Sequence, residues 1–284
     1  MKSHVVGIAG AGNMGMQLAL LFASHDIATV IWNHKEQPSY ERDIFRLATI
    51  QSKLGLINKE NIKKVIELIS YTNDISVMEG CDFIVEAIKE DKEVKAIVLR
   101  QIDVVARNAK VLASNTSMLS ITELASFTEN PSRFLGIHFF NPPMSMKLIE
   151  VIKGELTTDM ALEFALNVLG EINKHPVVIP ETPGFIVNRL LFPMINEAVL
   201  LLSEGISDAK TIDNCMRLGA NHPMGPLELA DLIGLDICLS ILETLMEETG
   251  DVKYRPAILL KRYVRAGKLG KKSGIGFYSY RKNI

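Results

Sequence analysis

The apolar run HVVGIAG, His4 to Gly10, leads straight into Gly10-Ala11-Gly12-Asn13-Met14-Gly15 and then into a helical pattern from Met16 to Ser24. A GxGxxG that leaves a strand and opens a helix narrows the fold sharply, because it builds a phosphate site out of backbone. Gly10 makes the tight turn, Gly12 lets the main chain approach a pyrophosphate, and Gly15 lets helix and strand pack closely. The helix start, with Asn13 and Met14 in the loop, offers free N–H groups and the positive end of its dipole to the phosphates. A dinucleotide cofactor in an N-terminal α/β domain is the expectation. A glycine-rich turn with no ligand is the plainer reading, and the strand–helix context weighs against it.

The second strand, Ala28 to Trp32, should end on an acidic residue that holds the adenosine ribose hydroxyls. Asn33 stands there instead, followed by His34 and Lys35. An Asp would repel a 2′-phosphate, whereas a neutral Asn beside a cation can accept one, so NAD and NADP both stay open. Lys35 as a solvated surface charge, with Asn33 on the ribose, is the alternative. Residues 41–69 carry two apolar-periodic patterns and read as a helical hairpin inserted beside the cofactor domain. Strands resume at Phe83 to Ile88 and Val111 to Ser114, with a helix from Lys92 to Arg107 between them. This alternation predicts a parallel, doubly wound sheet. Glu90 and Lys95 sit just past the fourth strand, where ligands approach the carboxyl ends of strands, although either could be an exposed helix-start residue. Ser114-Asn115-Thr116-Ser117 ends the fifth strand, and its hydroxyls can cap the next helix or hold a ligand oxygen.

Phe134 to Phe140 reads as a strand interrupted by one imidazole, His138, and it stops at Asn141-Pro142-Pro143, where two prolines cannot continue a ladder. A second strand, Lys147 to Ile152, sets Glu150 among apolar neighbours. Such a carboxylate either faces water from an edge or is buried against a partner. The turn between the strands can bring His138 near Glu150. A carboxylate on one imidazole nitrogen fixes the tautomer and leaves the other nitrogen to move a proton.

A helix at 158–171 and a strand from His175 to Pro180 complete the sheet elements. Pro180-Glu181-Thr182-Pro183-Gly184 is the clearest boundary in the chain. It divides a domain of residues 1–182 from a helical one of residues 183–284. Beyond it, helical runs cover Phe185 to Ser203, with Pro193 as a kink, then Asp208 to Leu218, Pro226 to Thr249 and Arg255 to Ala266, before a short FYSY strand. The first of these is apolar nearly all round and must be buried by its own domain or by a second subunit. Asn188, near its start, can satisfy a backbone group or reach a substrate. Asn188, Arg189, Asn196 and Glu197 also make this stretch a buried helix and not a membrane span. A net charge of -2 gives no case for nucleic acid or an anionic membrane. Three widely spaced cysteines without a CxxC argue against a disulfide framework and a zinc site, and fit a reducing cytoplasm. Glycines and Asn13 interrupt the first apolar run, against a signal peptide.

With these residues in place, the chain closely resembles the 3-hydroxyacyl-CoA dehydrogenase family, and most of all its short-chain bacterial 3-hydroxybutyryl-CoA members. The likeness runs end to end through GAGNMG, FIVEAIKE, ASNTSML, IHFFNPPMSMKLIEVI, TPGFIVNRLL, NHPMGPLEL, GLDICL, YRPAILLKRYVRAG and GKKSGIGFY. It implies an N-terminal doubly wound Rossmann-type domain and a C-terminal all-helical domain that forms a homodimer, with the active site in the cleft between the domains. It also implies that His138 is the catalytic base and Glu150 its partner, and that Ser117 and Asn188 hold substrate oxygens. Glu90, Lys95, Ser117, Asn141 and Lys272 would contact the cofactor. The hairpin would hold part of coenzyme A, with Ser52 and Lys53 in the stretch concerned. Two departures stand out: Asn33 where NAD-preferring relatives carry Asp, and Pro143-Met144-Ser145 in place of a more usual Ala/Val-Pro-Val.

The chemistry expected is hydride transfer between NAD or NADP and an acyl-CoA, with His138 exchanging the proton of the 3-hydroxyl. Competing readings are a dehydrogenase of a free small hydroxyacid and a non-catalytic dinucleotide sensor, which would leave the His–Glu pair idle. A hydrolase using Ser117 lacks a GxSxG elbow.

Overall fold

A computed structural model describes residues 4–280 of the chain. The chain divides after Thr182 into two compact units. The first unit opens with β1 (Val6–Ala9), α1 (Asn13–Ala23), β2 (Thr29–Trp32), α2 (Tyr40–Lys53), α3 (Ile62–Glu67) and β3 (Ile69–Thr72). It continues through β4 (Phe83–Glu86), α4 (Lys92–Val105), β5 (Val111–Ser114) and α5 (Ile121–Ala125). Then come β6 (Phe134–Phe139), β7 (Leu148–Lys153), α6 (Asp159–Gly170) and β8 (His175–Pro180).

The eight strands form one sheet in the order β3-β2-β1-β4-β5-β6-β7-β8. β1, β4, β5 and β6 are buried along their whole length, as strands covered on both faces must be. The chain winds outward from β1 in two directions, and this reversal leaves a crevice at the carboxyl ends of the strands. β6 and β7 are antiparallel, as a turn that brings His138 back to Glu150 requires, while every other neighbouring pair is parallel. Residues 140–147 alone connect them, too few for the crossover that a parallel pair needs. The hairpin expected over residues 41–69 is present as α2 and α3. It ends at Glu67, because Ile69 already pairs with Thr29 in the sheet. Tyr40 of α2 stacks on Tyr71 of β3 with ring centroids 4.2 Å apart.

The second unit contains α7 (Val187–Ser203), α8 (Ala209–Gly219), α9 (Pro226–Ile233), α10 (Leu235–Thr249) and α11 (Ile258–Arg265). α7 runs through Pro193 and buries Phe192, Ile195, Ala198 and Val199. The single helical run expected from Pro226 to Thr249 is broken at Gly234, whose φ of 111° no helix tolerates. Asp213 of α8 caps α9, accepting from Leu227 N at 2.8 Å and Glu228 N at 2.9 Å. The FYSY segment forms no strand of its own, only isolated bridges from Ile275 to Gly270 and to Ser279. It is held instead by Asp231, which accepts from Phe277 N, Tyr278 N and the Tyr280 hydroxyl. No described helix is long and apolar enough to cross a membrane.

Candidate active site

The glycine turn satisfies each demand that a bound dinucleotide places on it. Gly10 has φ +116°, and a Cβ there would lie 2.9 Å from Ala87 O. A Cβ on Gly15 would lie 1.9 Å from Gly10 O, so the helix start and the turn can meet only through glycine. Gly12 has nothing within 4 Å of its Cβ position, which leaves the backbone open to a ligand. It is the N-cap of α1 and makes no side-chain cap, so Asn13, Met14 and Gly15 offer N–H groups without intrahelical acceptors. Beside the turn lies a cavity of about 620 Å³, bordered by Gly10, Gly12, Asn33, Ile88, Val98 and Gln101 among others. Its volume and largely apolar walls suit a nucleoside. The residues present therefore fit a dinucleotide.

Asn33 follows β2 at this cavity. Its Oδ1 accepts from Ala11 N at 3.3 Å and its Nδ2 donates to Lys35 O at 2.7 Å, so one neutral amide ties the glycine turn to the loop after β2. Lys35 is exposed.

His138 and Glu150 face each other directly across the β6–β7 ladder. His138 Nδ1 is 2.8 Å from Glu150 Oε2, and both residues are buried. A carboxylate only accepts, so Nδ1 carries the proton in this bond and any proton that the ring exchanges moves at Nε2. The Phe140 ring lies 4.5 Å from the imidazole, centroid to centroid, tilted by 50° to it.

Between these two features lies a polar knot at the ends of β4 and β5. Lys95 is not an exposed helix-start residue. It is fully buried, with Nζ 2.7 Å from Glu86 Oε1 and 3.3 Å from Glu90 Oε2. Glu90 Oε1 accepts from the Thr116 hydroxyl at 2.5 Å and from Ser117 N at 2.8 Å. Asn115 Oδ1 accepts from Phe139 N at 3.0 Å, which joins this knot to the strand of His138. Asn141 accepts from Gln17 Nε2 of α1 at 3.5 Å. On the second unit, Asn188 stands in the first turn of α7, and Lys272 Nζ is paired with Asp236 at 2.6 Å. Sequence reasoning missed Glu86, and it read Asn115 and Thr116 only as part of the polar stretch that ends β5, without their partners Phe139 and Glu90. For Glu86, the available signal was an acid at the end of a buried strand, which must find a partner. Among the described residues, no group of three or more His, Cys, Asp or Glu is placed to hold a metal ion.

Comparison with known proteins agrees with this geometry. Residues 5–182 match the family described as 3-hydroxyacyl-CoA dehydrogenase, NAD binding domain, and residues 184–280 match 3-hydroxyacyl-CoA dehydrogenase, C-terminal domain. The chain is 42% identical over 282 residues to a 3-hydroxybutyryl-CoA dehydrogenase of Clostridioides difficile, covering 98% of this chain and 99% of the relative. A second 3-hydroxybutyryl-CoA dehydrogenase, from Bradyrhizobium diazoefficiens, is also 42% identical, covering 97% of this chain and 95% of its own. The crystal structure of (S)-3-hydroxybutyryl-CoA dehydrogenase PaaH1 from Ralstonia eutropha superposes with a TM-score of 0.93 at 38% identity, covering 98% of this chain and 99% of that one. The chain belongs to the 3-hydroxyacyl-CoA dehydrogenase family, with the family's NAD-binding domain first and its C-terminal domain second.

Proposed function

We propose that this oxidoreductase interconverts (3S)-3-hydroxyacyl-CoA and 3-oxoacyl-CoA, with 3-hydroxybutyryl-CoA and acetoacetyl-CoA as the first pair to test. The observation that carries the reading is the buried His138–Glu150 bond, on the same sheet as the glycine turn. The bound nicotinamide supplies hydride transfer. His138 Nε2 takes the proton of the 3-hydroxyl in oxidation and returns it to the 3-keto oxygen in reduction. Glu150 stabilises the imidazolium in between and fixes the ring, while Ser117 and Asn188 position the substrate oxygen. Glu90, Asn141 and Lys272 complete the cofactor contacts, whereas Lys95, expected among them, is fully buried and acts only through Glu90. The α2–α3 hairpin, with Ser52 and Lys53, receives part of coenzyme A. The partner is a second copy of the chain, through the helical unit. Cys81, Cys215 and Cys238 are free thiols, which fits a cytoplasmic enzyme.

On the cofactor, Asn33 supports use of NADP as well as NAD, because the end of β2 carries no charge to repel a 2′-phosphate and Lys35 follows two residues on. Initial rates with acetoacetyl-CoA, and with free acetoacetate as control, test both parts. The expected result is turnover with NADH and a usable rate with NADPH. Turnover of free acetoacetate alone contradicts the acyl-CoA reading, and strict dependence on NADH contradicts the role given to Asn33 and Lys35. Asn33→Asp should lower the rate with NADPH by roughly tenfold relative to NADH.

A further inference from the structure

The carboxyl end of β4 carries a buried ion pair whose acid, Glu86, has no task in the reaction as proposed. Glu86 and Lys95 are both fully shielded from solvent. Lys95 Nζ lies 2.7 Å from Glu86 Oε1 and 2.8 Å from Oε2. Each Glu86 oxygen has a second donor: Ile88 N reaches Oε1 at 2.7 Å, and the Ser114 hydroxyl reaches Oε2 at 2.5 Å. Lys95 extends to Glu90 Oε2 at 3.3 Å, and the other Glu90 oxygen accepts from the Thr116 hydroxyl and Ser117 N. The main chain follows the same path, since Glu86 O accepts from Asn115 N at 2.7 Å and Asn115 Oδ1 holds Phe139 N, next to His138.

We propose that Glu86 is a positioning residue, which through Lys95 and Glu90 sets Ser117 and the end of β5 where cofactor and substrate meet. The proposal rests on the reading that Glu90 and Ser117 face the ligands, with Lys95 enclosed behind Glu90. Stability alone does not explain the pair, because a well-packed apolar pair of the same volume generally serves as well or better. What the pair supplies is a fixed geometry. With four donor contacts on its two oxygens, Glu86 cannot turn, and an ammonium gripped by both oxygens cannot swing. One ammonium is thereby divided between two carboxylates, closely with Glu86 and at longer range with Glu90. Removing the Glu86 charge leaves Lys95 to close on Glu90. That movement draws Glu90 away from Thr116 and Ser117, and the loop that follows β5 loses an anchor.

Glu86→Gln in the full chain keeps the shape and removes the charge. Three readings decide: the NADH dissociation constant by cofactor fluorescence without substrate, kcat and KM with acetoacetyl-CoA, and the thermal midpoint. The expected result is an NADH dissociation constant raised roughly fivefold or more and kcat lowered roughly tenfold, with KM for acetoacetyl-CoA within about threefold of wild type. Ser114→Ala removes only the hydroxyl that anchors Glu86 and should shift both quantities in the same direction by less. A lowered midpoint with unchanged NADH binding and kcat in Glu86→Gln makes the pair purely structural and overturns the proposal. If that variant does not fold, unchanged values in Ser114→Ala do the same. A wild-type protein that binds NADH but does not turn over acetoacetyl-CoA defeats the reaction assigned above instead. NADH binding by Glu86→Gln then still decides: a rise supports the positioning role, and no change refutes it.

Discussion

Glu150 is 1% exposed, so water cannot solvate its carboxylate and neighbouring groups must. His138 meets that demand at 2.8 Å, and in the proposed reaction the same carboxylate would stabilise the imidazolium formed as the proton moves. Glu150→Gln tests the arrangement because it keeps the volume, removes the charge and offers Nδ1 an amide that can impose the wrong tautomer. With acetoacetyl-CoA and NADH, kcat should fall by about 10²–10⁴-fold with little change in NADH affinity. A value within about threefold of wild type would make the carboxylate a bystander. This pair was legible in the sequence because the intervening prolines demand a turn, and a lone acid inside an apolar strand demands a partner. Glu86 was not legible in the same way. Its partner lies nine residues ahead on α4, and only the packed position of that helix shows Lys95 buried rather than solvated.

The helical unit is organised by elements that close on two buried acids. Asp213 caps α9 and also accepts from the Tyr278 hydroxyl at 2.6 Å, while Asp231 on α9 gathers the residues 277–280 segment. The approach is close enough that a Cβ on Gly276 would lie 1.9 Å from Asp231 Oδ1. Burial, with the nearby Asp213 charge adding to it, holds the Asp231 carboxyl above the ordinary carboxylate range, against the pull of its three donors. The sign follows from linkage. A folded pKa above the unfolded one means that the native state binds the proton more tightly. This group's contribution is therefore complete below the unfolded pKa and is lost as pH rises through the folded one. Urea unfolding of wild type and Asp231→Asn at a series of pH values should show this difference. Across that window, wild type should lose stability relative to the variant as pH increases. A difference that grows in the opposite direction would contradict the burial argument. None of this was legible from the FYSY motif, which reads as a strand because alternating aromatics suit a sheet, whereas the segment is in fact held by a carboxylate.

At the scale of the whole molecule, the two-unit division, the glycine turn and the order of alternating elements were legible. Periodicity switches visibly between strand and helix, and prolines mark the boundary. The break at Gly234 depends on one backbone angle, which periodicity does not report. The helical unit exposes Leu190, Ile206, Leu218, Val252 and Ile258 by more than two-thirds each, against Met160 alone among the large apolar side chains described in the first unit. Side chains of this size on one unit suit an interface with a second copy. Sedimentation at micromolar concentration should give twice the mass of the chain, and a monomer throughout that range would contradict the proposed partner.

The central claim, that one buried imidazole moves the proton while the cofactor binds independently at the glycine turn, is tested most directly by His138→Gln. NADH titration of that variant should give a dissociation constant within about threefold of wild type, while turnover of acetoacetyl-CoA falls by a factor of roughly 10² or more. Retention of more than about one tenth of wild-type turnover, with NADH binding intact, would show that the proton is moved by another group.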